Sequence, residues 1–295
     1  MMTSKVQDLK EFLAGAGPVA LVEVAGTRGS TPREKGAYML VSPLATHGTI
    51  GGGQLEYMAI DKARQMSGIL PSRKGVLPPI HRIDVQEVCA TLDVPLGPEI
   101  GQCCGGRVEV LIRLMDGVMA AKLIAVAEAE EEHLPHLYIF GGGHVGKALA
   151  ASVSLLPIHV VVVETRAEEL EGITEAVETR LTAMPEEMVR LAPAGSAFAV
   201  LTHDHALDFL IAAEALKRND TAYVGMIGSR TKKATFRNWF LKTANGSKAE
   251  FERLVSPIGG DAVKDKRPQV IAALAAAEMM AALVKHQIKA GVEVA

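Results

Sequence analysis

The stretch LYIFGGGHVGKALA, residues 137–150, constrains the fold of this chain more than any other. Gly141, Gly143 and Gly146 have the spacing G-x-G-x-x-G, and they lie between an apolar strand-like run and a helix-like run. In that setting the first glycine makes a tight turn, the second lets backbone approach a pyrophosphate, and the third lets the helix pack on the strand. The helix begins near His144 and offers free N–H groups to an anion. The spacing predicts the opening unit of a Rossmann-type domain, with these four residues as cofactor contacts.

Strands and helices alternate regularly after residue 136, and this order predicts parallel βαβ units in a doubly wound sheet. The second strand, IHVVVVE, ends at Glu164, where an acidic side chain can accept hydrogen bonds from a ribose. The same carboxylate disfavours a 2′-phosphate, although Arg166 is close in sequence. NAD or another nucleotide is therefore a candidate ligand, but the fold alone does not decide whether the site is used.

Residues 1–116 have a different sequence pattern, with short strand-like and loop-like segments rich in glycine and proline. Periodicity predicts strands over 18–26, 36–42 and 107–115 and helices over 54–68 and 118–132. The change of pattern predicts two domains. The first is a mixed α/β domain over residues 1–134, and the second is a Rossmann-like domain with a doubly wound parallel sheet over residues 135–295.

Two segments of the first domain are suited to an anion. A glycine run directly precedes a helix, where free N–H groups can cradle a phosphate: Gly51, Gly52 and Gly53. The segment TRGSTPREKG, residues 27–36, supplies hydroxyl and guanidinium groups: Thr27, Arg28, Ser30, Thr31 and Arg33. Each segment has a structural alternative, since the glycines suit a tight turn with positive φ and the second segment suits a solvated hairpin loop.

Polar residues follow two strands of the Rossmann-like domain, at the edge where open α/β sheets bind ligands. The first group comprises His203, Asp204 and Asp208, and the second comprises Ser229, Arg230, Lys232 and Lys233. Four of them are candidate cofactor contacts: His203, Asp204, Ser229 and Arg230. Asp204 and Ser229 are equally suited to cap the helices that follow them, and spacing alone does not establish a metal site.

The run GQCCGGRVEV contains two adjacent thiols, Cys103 and Cys104, followed by Gly105 and Gly106. Three interpretations stay open: small buried hydrophobes, a strained vicinal disulfide, or ligands of a soft metal centre. The glycines favour the ligand interpretation, because they free N–H groups that lower a thiol pKa and let a ligand approach the backbone. We expect the remaining cysteine, Cys89, to be a buried hydrophobe.

Composition limits the class of partner and the compartment. A net charge of −3 and few aromatic residues weigh against nucleic acid. Three cysteines do not form a disulfide framework, and residues 1–18 lack the pattern of a signal peptide, so we expect a cytoplasmic protein. The longest apolar stretch, residues 270–284, is short for a membrane span and carries Glu278, so we expect no membrane partner. It belongs to a final helix that begins at Pro268 and suits a core or a homodimer surface.

An ordered set of motifs carries a family resemblance: STPREKGAYMLV, GTIGGGQLE, GQCCGGRVEVLI, IFGGGHVGKALA, VVETR, LTHDHALD, YVGMIGSRTK and SPIG. Together they resemble the XdhC/CoxI family of accessory proteins for molybdenum hydroxylases, from about residue 19 to residue 285. The resemblance implies a chaperone rather than an enzyme in its own right. Such a protein binds the molybdenum cofactor while a cysteine desulfurase supplies its terminal sulfur, and delivers it to an apo-hydroxylase such as xanthine dehydrogenase.

The resemblance gives the candidate residues specific roles. Cys103 and Cys104 are expected at the molybdenum or its incoming sulfur, with Arg107 as a phosphate or pterin contact. The phosphate, or the nucleotide of the cytosine dinucleotide form, is expected at Gly51–Gly53 or at Gly141–Gly146. Two other functions stay open: an NAD-dependent oxidoreductase, and a docking adaptor that binds hydroxylase and desulfurase without cofactor.

Overall fold

The structure of the chain is a computed structural model that describes residues 5–67, 89–96, 105–174 and 177–291. The described residues form two compact units, divided between Ala129 and Glu130. We call residues 3–129 the N-terminal unit and residues 130–295 the C-terminal unit, and each is considered by itself.

The N-terminal unit is built on an antiparallel sheet. Its described strands are β1 (Ala20–Arg28), β2 (Tyr38–Val41), β3 (Thr46–Gly48), β4 (Cys89–Pro95) and β5 (Arg107–Leu114). Its helices are α1 (Lys5–Gly15), α2 (Gly53–Met66) and α3 (Gly117–Glu132). These strands lie in the order β3-β2-β1-β5-β4, and every neighbouring pair is antiparallel. The predicted strands and helices of this unit are present, whereas α1, β3 and β4 were not predicted.

Side chains alternate across this sheet and so define its buried face. Along β4, Ala90, Leu92 and Val94 point into the core, where Leu55 of α2 also packs. The residues between them, beginning with Cys89, are exposed. The prediction that Cys89 is buried is therefore wrong, because the pleat of β4 turns its side chain to solvent.

The C-terminal unit is built on a parallel sheet. Its strands are β6 (His136–Phe140), β7 (His159–Glu164), β8 (Glu178–Leu181), β9 (Ala197–Val200), β10 (Tyr223–Met226) and β11 (Leu254–Val255). Its helices are α4 (His144–Val153), α5 (Ala167–Leu170), α6 (Pro185–Leu191), α7 (His205–Lys217), α8 (Arg230–Lys242), α9 (Lys248–Glu252) and α10 (Pro268–Ala290). The strand order is β8-β7-β6-β9-β10-β11 with parallel pairing throughout, which confirms the predicted doubly wound sheet.

The strand order reverses direction between β6 and β9, which are neighbours in the sheet although two strands separate them in sequence. Apolar cores cover both faces: α4 and α10 contribute to one, and α6, α7 and α8 contribute to the other. Because connections leave in opposite directions on either side of this point, a crevice opens at the carboxyl ends of the two strands. The glycine fingerprint follows β6 and therefore lies at this crevice.

The last helix, α10, begins at Pro268 and ends at Ala290, and the C-cap residue Gly291 follows with a φ of 73°. Its buried face lies in the core against α4. Glu278, in the middle of the helix, accepts hydrogen bonds from the Tyr223 hydroxyl at 2.9 Å and from the Gly259 N–H at 2.8 Å. Among the described residues, α10 is long and apolar enough to cross a membrane. Core helices of soluble proteins can have the same length and composition.

A buried ion pair joins the segments that follow β9 and β10. Asp208 of α7 is 0% exposed and Lys232 of α8 is 9% exposed, and the Lys232 ammonium donates to the Asp208 carboxylate. The other carboxylate oxygen of Asp208 accepts the Thr202 N–H at 3.0 Å and the Thr202 hydroxyl at 2.7 Å. Lys232, one of the polar residues that follow β10, is therefore not available to a ligand, since its charge is already neutralised inside the unit.

Replacing Lys232 by methionine should lower the free energy of unfolding of the C-terminal unit by about 3–5 kcal/mol. The reason is that the Asp208 carboxylate then stays buried without its counter-ion. Trp239 lies on α8 and packs against the core, so its fluorescence during urea titration follows this unfolding.

The matched control is Lys242→Met, which removes an exposed ammonium from the last turn of the same helix. Its effect should stay below about 1 kcal/mol, as is usual for surface charges. If both variants lose the same free energy of unfolding, the buried ion pair contributes no more to stability than a surface charge does.

Candidate functional site

The glycine fingerprint forms the turn between β6 and α4. Gly141 has a φ of 114°, and a Cβ atom there would lie 2.6 Å from the carbonyl oxygen of Leu201. A Cβ atom at Gly146 would lie 1.9 Å from the carbonyl oxygen of Gly141, so the helix approaches the turn too closely for any side chain. A Cβ atom at Gly143 would have no atom within 4 Å. The first and third glycines are therefore required by packing, whereas the second faces open space.

The amino end of α4 is accessible to an anion. Gly143 is the N-cap residue and supplies no side-chain hydrogen bond to the helix. His144, the first helical residue, is exposed. The first N–H groups of a helix have no partner inside the helix, and their partial positive charge favours an anion. This end of α4 is therefore a candidate phosphate position of the C-terminal unit.

Glu164 has a different role from the predicted ribose contact. Its side chain is buried, and its Oε2 accepts the Gly142 N–H at 2.8 Å. Its Oε1 accepts the N–H groups of Thr165 at 2.8 Å and Arg166 at 3.2 Å, and the Thr165 hydroxyl at 3.2 Å. Burial raises the pKa of Glu164, but these hydrogen bonds outweigh it and hold the pKa below its usual value. The carboxylate fixes the glycine loop, which makes it a poor ribose acceptor.

Arg166 forms ion pairs with carboxylates beside the same loop. Its Nη2 donates to Glu169 at 3.1 Å, and its Nε lies 3.8 Å from Glu164. Glu169 also lies 3.5 Å from the ammonium of Lys147. Because these charges neutralise one another, the surroundings of Arg166 do not present the excess positive charge that a 2′-phosphate requires.

The polar residues after β9 and β10 act mainly on their own helices. Asp204 caps α7 by accepting the N–H groups of Ala206 at 2.8 Å and Leu207 at 3.5 Å, and Ser229 caps α8 by accepting the Lys232 N–H at 3.3 Å. His203 is exposed, and the exposed Arg230 side chain lies 3.4 Å from Asp261. Within the described ranges, no cluster of three or more histidine, cysteine, aspartate or glutamate residues is arranged to hold a metal.

In the N-terminal unit, the segment after β1 lies directly on the start of β5. A Cβ atom at Gly106 would lie 2.1 Å from the carbonyl oxygen of Ser30 and 2.8 Å from that of Arg28. No side chain fits there. Gly106 therefore lets the segment with Ser30 cross the strand that follows the cysteine pair in sequence.

The glycine run before α2 packs on the same segment. A Cβ atom at Gly51 would lie 2.6 Å from Cγ of Pro32 and 3.6 Å from Cγ of Arg33. Three separately predicted segments thus come together, and we call them the loop cluster: residues 28–33, 49–53 and 105–106. Ser30, Arg33, Gly53 and Gly105 are exposed on it.

The cysteine pair itself, Cys103 and Cys104, lies outside the described residues. What is described is the backbone on either side. Leu96 donates its N–H to the Gly106 carbonyl at 2.8 Å, and Gly105 donates its N–H to the Leu96 carbonyl at 2.8 Å. Cys104 is covalently joined to Gly105, so the cysteine pair directly precedes the loop cluster in sequence.

A glutamate of α2 fills the predicted phosphate cradle at Gly51, Gly52 and Gly53. Oε1 of Glu56 accepts the Ile50 N–H at 3.0 Å, the Gly52 N–H at 2.9 Å and the Thr49 hydroxyl. Burial raises the pKa of Glu56, but the hydrogen bonds from the Thr49 hydroxyl and the neighbouring backbone outweigh it and lower the pKa. The prediction of an open cradle is therefore wrong, because an internal carboxylate takes the position of the anion.

Sequence reasoning missed Glu56 although a signal was present. A glutamate in the first turn of a helix commonly reaches back to N–H groups at the start of that helix. Glu56 stands four residues after the N-cap residue, Gly52. Its position identifies it as a partner for the glycine run.

Arg107, predicted as a phosphate or pterin contact, is paired across the sheet. Its Nε and Nη2 donate to the two carboxylate oxygens of Asp93, each at 2.5 Å. The hydrogen bond from Arg107 lowers the pKa of Asp93. By contrast, Arg28 and Arg33 make no ion pair with any residue that the structure describes. Among the described residues, Arg28 and Arg33 are thus the cations of the loop cluster without a direct carboxylate contact, although the charge of Arg28 also lowers the pKa of Asp93.

Comparison with known families matches both parts of the chain. Residues 137–279 match the family described as the XdhC Rossmann domain. Residues 12–69 match the family described as the XdhC and CoxI family. The two matches contain the glycine fingerprint and two of the three segments of the loop cluster.

Two further proteins are similar along most of this chain. The uncharacterized protein YqeB of Escherichia coli K12 is 26% identical over 277 residues, which are 89% of this chain and 43% of YqeB. The chain thus spans less than half the length of this curated relative. A crystal structure from Bacillus halodurans, described as a xanthine dehydrogenase, superposes with a TM-score of 0.74 at 17% identity and covers 96% of both chains. At this identity the likeness shows the shared fold.

Glu56→Gln should remove a pH-dependent contribution to the stability of the N-terminal unit. A carboxyl group with a lowered pKa stabilises the folded state above its usual pKa of 4.5, and this stabilisation is lost as pH falls through the lower folded value. At neutral pH the variant should lose about 1 kcal/mol, because a neutral acceptor replaces a charged one. Below pH 4.5 the difference from the parent protein should shrink.

Amide hydrogen exchange at Ile50 and Gly52, corrected for intrinsic rates, measures this locally. The control is Glu34→Gln, which removes an exposed carboxylate from the same unit. If Glu56→Gln and its parent keep the same difference at every pH, the charge of Glu56 does not hold the glycine run.

Proposed function

The chain belongs to the XdhC and CoxI family, and on that premise we propose that it binds the molybdenum cofactor as cargo for a molybdenum hydroxylase. In this proposal the chain holds molybdopterin, or its cytosine dinucleotide form, while a cysteine desulfurase supplies the terminal sulfur. It then passes the cofactor to an apo-hydroxylase of the xanthine dehydrogenase type. Its role is that of a cytoplasmic maturation factor rather than an enzyme.

The observation that carries the proposal is the loop cluster. Residues 28–33, 49–53 and 105–106 are far apart in sequence, yet they pack on one another at Gly51 and Gly106. The strand that enters this cluster is the one that follows Cys103 and Cys104 in sequence. Thiolates are the protein ligands best matched to a soft, sulfur-liganded metal.

The donor groups of the cluster also fit the anionic part of such a cargo. The hydroxyl of Ser30 and the guanidinium groups of Arg28 and Arg33 are exposed and suited to phosphate oxygens. A phosphate and a soft metal are the two most distinctive groups of the cofactor. Donors for both therefore occur in one stretch of the N-terminal unit and its adjoining sequence.

The amino end of α4 supplies a further position for phosphate in the C-terminal unit. Gly143 leaves open space there, and the helix has no side-chain cap. Helix N-termini of this kind bind the phosphate groups of nucleotides. An NAD-dependent oxidoreductase is less well supported, because Glu164 is occupied by the chain's own N–H groups.

Exposure of the cluster suits a carrier that must release its cargo. Exposed charge-assisted hydrogen bonds remain in competition with water and salt, so each contributes less than it would when buried. A partner protein can therefore displace them one at a time. This property favours transfer to a hydroxylase over permanent retention.

Cys103→Ala and Cys104→Ala test the proposal directly. Each protein is produced together with the cofactor synthesis pathway, and bound pterin is measured by fluorescence after oxidation. We expect the content of bound pterin to fall about tenfold in at least one variant. Changes near a metal site commonly alter metal affinity by a factor of this size. Activation of an apo-hydroxylase by the same preparations should fall in parallel.

The matched control is Cys89→Ala, since Cys89 is an exposed thiol on β4 of the same unit. It should keep parental pterin content. Mass spectrometry of the parental protein separates the other functions: bound NAD would support the oxidoreductase, and absence of any cofactor would support a docking adaptor. Parental pterin content in both cysteine variants would exclude the thiols from the site.

A further inference from the structure

Two arginines stand directly opposite each other at the end of the N-terminal sheet. Arg28 of β1 and Arg107 of β5 are partners in the antiparallel ladder. Side chains at such positions lie on the same face with Cβ atoms about 4.5–5.5 Å apart, and like charges there destabilise the sheet. The fold therefore places two arginines at directly opposite positions of neighbouring strands.

Asp93 serves both arginines: it forms an ion pair with Arg107, and the charge of Arg28 also lowers its pKa. Arg107 donates from Nε and Nη2 to the carboxylate of Asp93, and this bidentate pair engages both oxygens of Asp93. Arg28 makes no direct ion pair with a described residue and interacts with Asp93 only at longer range, and its side chain is exposed. A local departure from favourable charge pairing is typical of a functional site.

The backbone around Arg28 is held firmly. Arg28 is the last residue of β1, and its carbonyl oxygen lies where a Cβ atom of Gly106 would be 2.8 Å away. The carbonyl oxygen of Ser30, two residues later, would lie only 2.1 Å from the same Cβ atom. Because the ladder and this crossing fix the main chain at Arg28, an anion that binds Arg28 orders its side chain without reordering its backbone.

The neighbouring glycine run does not compete for an anion. The N–H groups of Ile50 and Gly52 already donate to Glu56, and the Gly51 N–H donates to the Thr49 hydroxyl at 3.1 Å. An incoming phosphate would have to displace a carboxylate there and would be repelled by it. Within the loop cluster, the position available to an anion is therefore the arginine side.

We propose that Arg28 is the phosphate anchor of the loop cluster. A phosphate group binds the Arg28 guanidinium, with the Ser30 hydroxyl and Arg33 of the same segment as additional donors. It adds a second negative charge beside two arginines that both interact with the single carboxylate of Asp93. The anion site rests on this charge arrangement alone, whereas its assignment to the phosphate of a pterin cargo rests on the proposed function.

The first experiment uses inorganic phosphate as the probe. The apo-protein is titrated at neutral pH and low salt, and binding is followed by phosphorus NMR. Arg28→Met should weaken phosphate binding by about tenfold, because one charge-assisted contact is lost. Arg28→Lys keeps the charge without the planar fork and should recover part of the affinity.

The matched control is Lys122→Met, which makes the same change of charge at an exposed position on α3 of the same unit. It should bind phosphate as the parent does. Unchanged amide exchange in β1 and β5 will establish that Arg28→Met remains folded. Equal phosphate affinity in Arg28→Met, Lys122→Met and the parent would overturn the proposal.

The second experiment measures bound pterin in the same variants after production with the cofactor synthesis pathway. Reduced pterin in Arg28→Met but not in Lys122→Met supports the anchor within the proposed function. Arg28-dependent phosphate binding without pterin in any protein would keep the anion site and reject the cofactor function. Full pterin content in Arg28→Met would keep the cofactor function and reject Arg28 as its anchor.

Discussion

A carboxylate that accepts the N–H groups of a glycine loop is the interaction on which both units depend. Glu164 holds Gly142 at the fingerprint of the C-terminal unit, and Glu56 holds Ile50 and Gly52 before α2 of the N-terminal unit. Glycine loops expose consecutive backbone donors, which are costly to leave unpaired. In each unit the chain supplies its own acceptor, so the loop has its shape before any ligand binds.

The two loops differ in what remains for a ligand. At the fingerprint, Glu164 takes the Gly142 N–H, and α4 still begins without a side-chain cap. Before α2, one oxygen of Glu56 occupies the centre of the cradle. Similar glycine-rich sequences thus give an accessible helix end in one unit and a closed turn in the other. Glycine spacing alone does not distinguish the two, because the difference comes from where a glutamate side chain reaches.

Much of the architecture was predictable because it follows from periodicity. Alternating apolar strands and amphipathic helices after residue 136 predict the parallel sheet, and Gly146 is required by the close helix approach that the fingerprint predicts. The side-chain pairs were not predictable. Arg107 and Asp93 meet only after β4 and β5 pair in one register, and a shift by one residue would move each to the opposite face. Because β4 was not predicted from the sequence, Cys89 was also wrongly predicted to be buried.

The arrangement of charges in the loop cluster suits transport of a cargo better than its permanent storage. A buried bidentate arginine pair would bind a phosphate strongly but would require a large rearrangement before release. Arg28 instead combines a fixed main chain with an exposed side chain. Binding of a phosphate therefore costs little backbone entropy, and its release needs no opening of the core. Because screening weakens exposed contacts, a partner surface with its own cationic groups can compete for the same phosphate. In the proposed function, rigidity of the backbone and exposure of the donor therefore act together to make phosphate binding reversible.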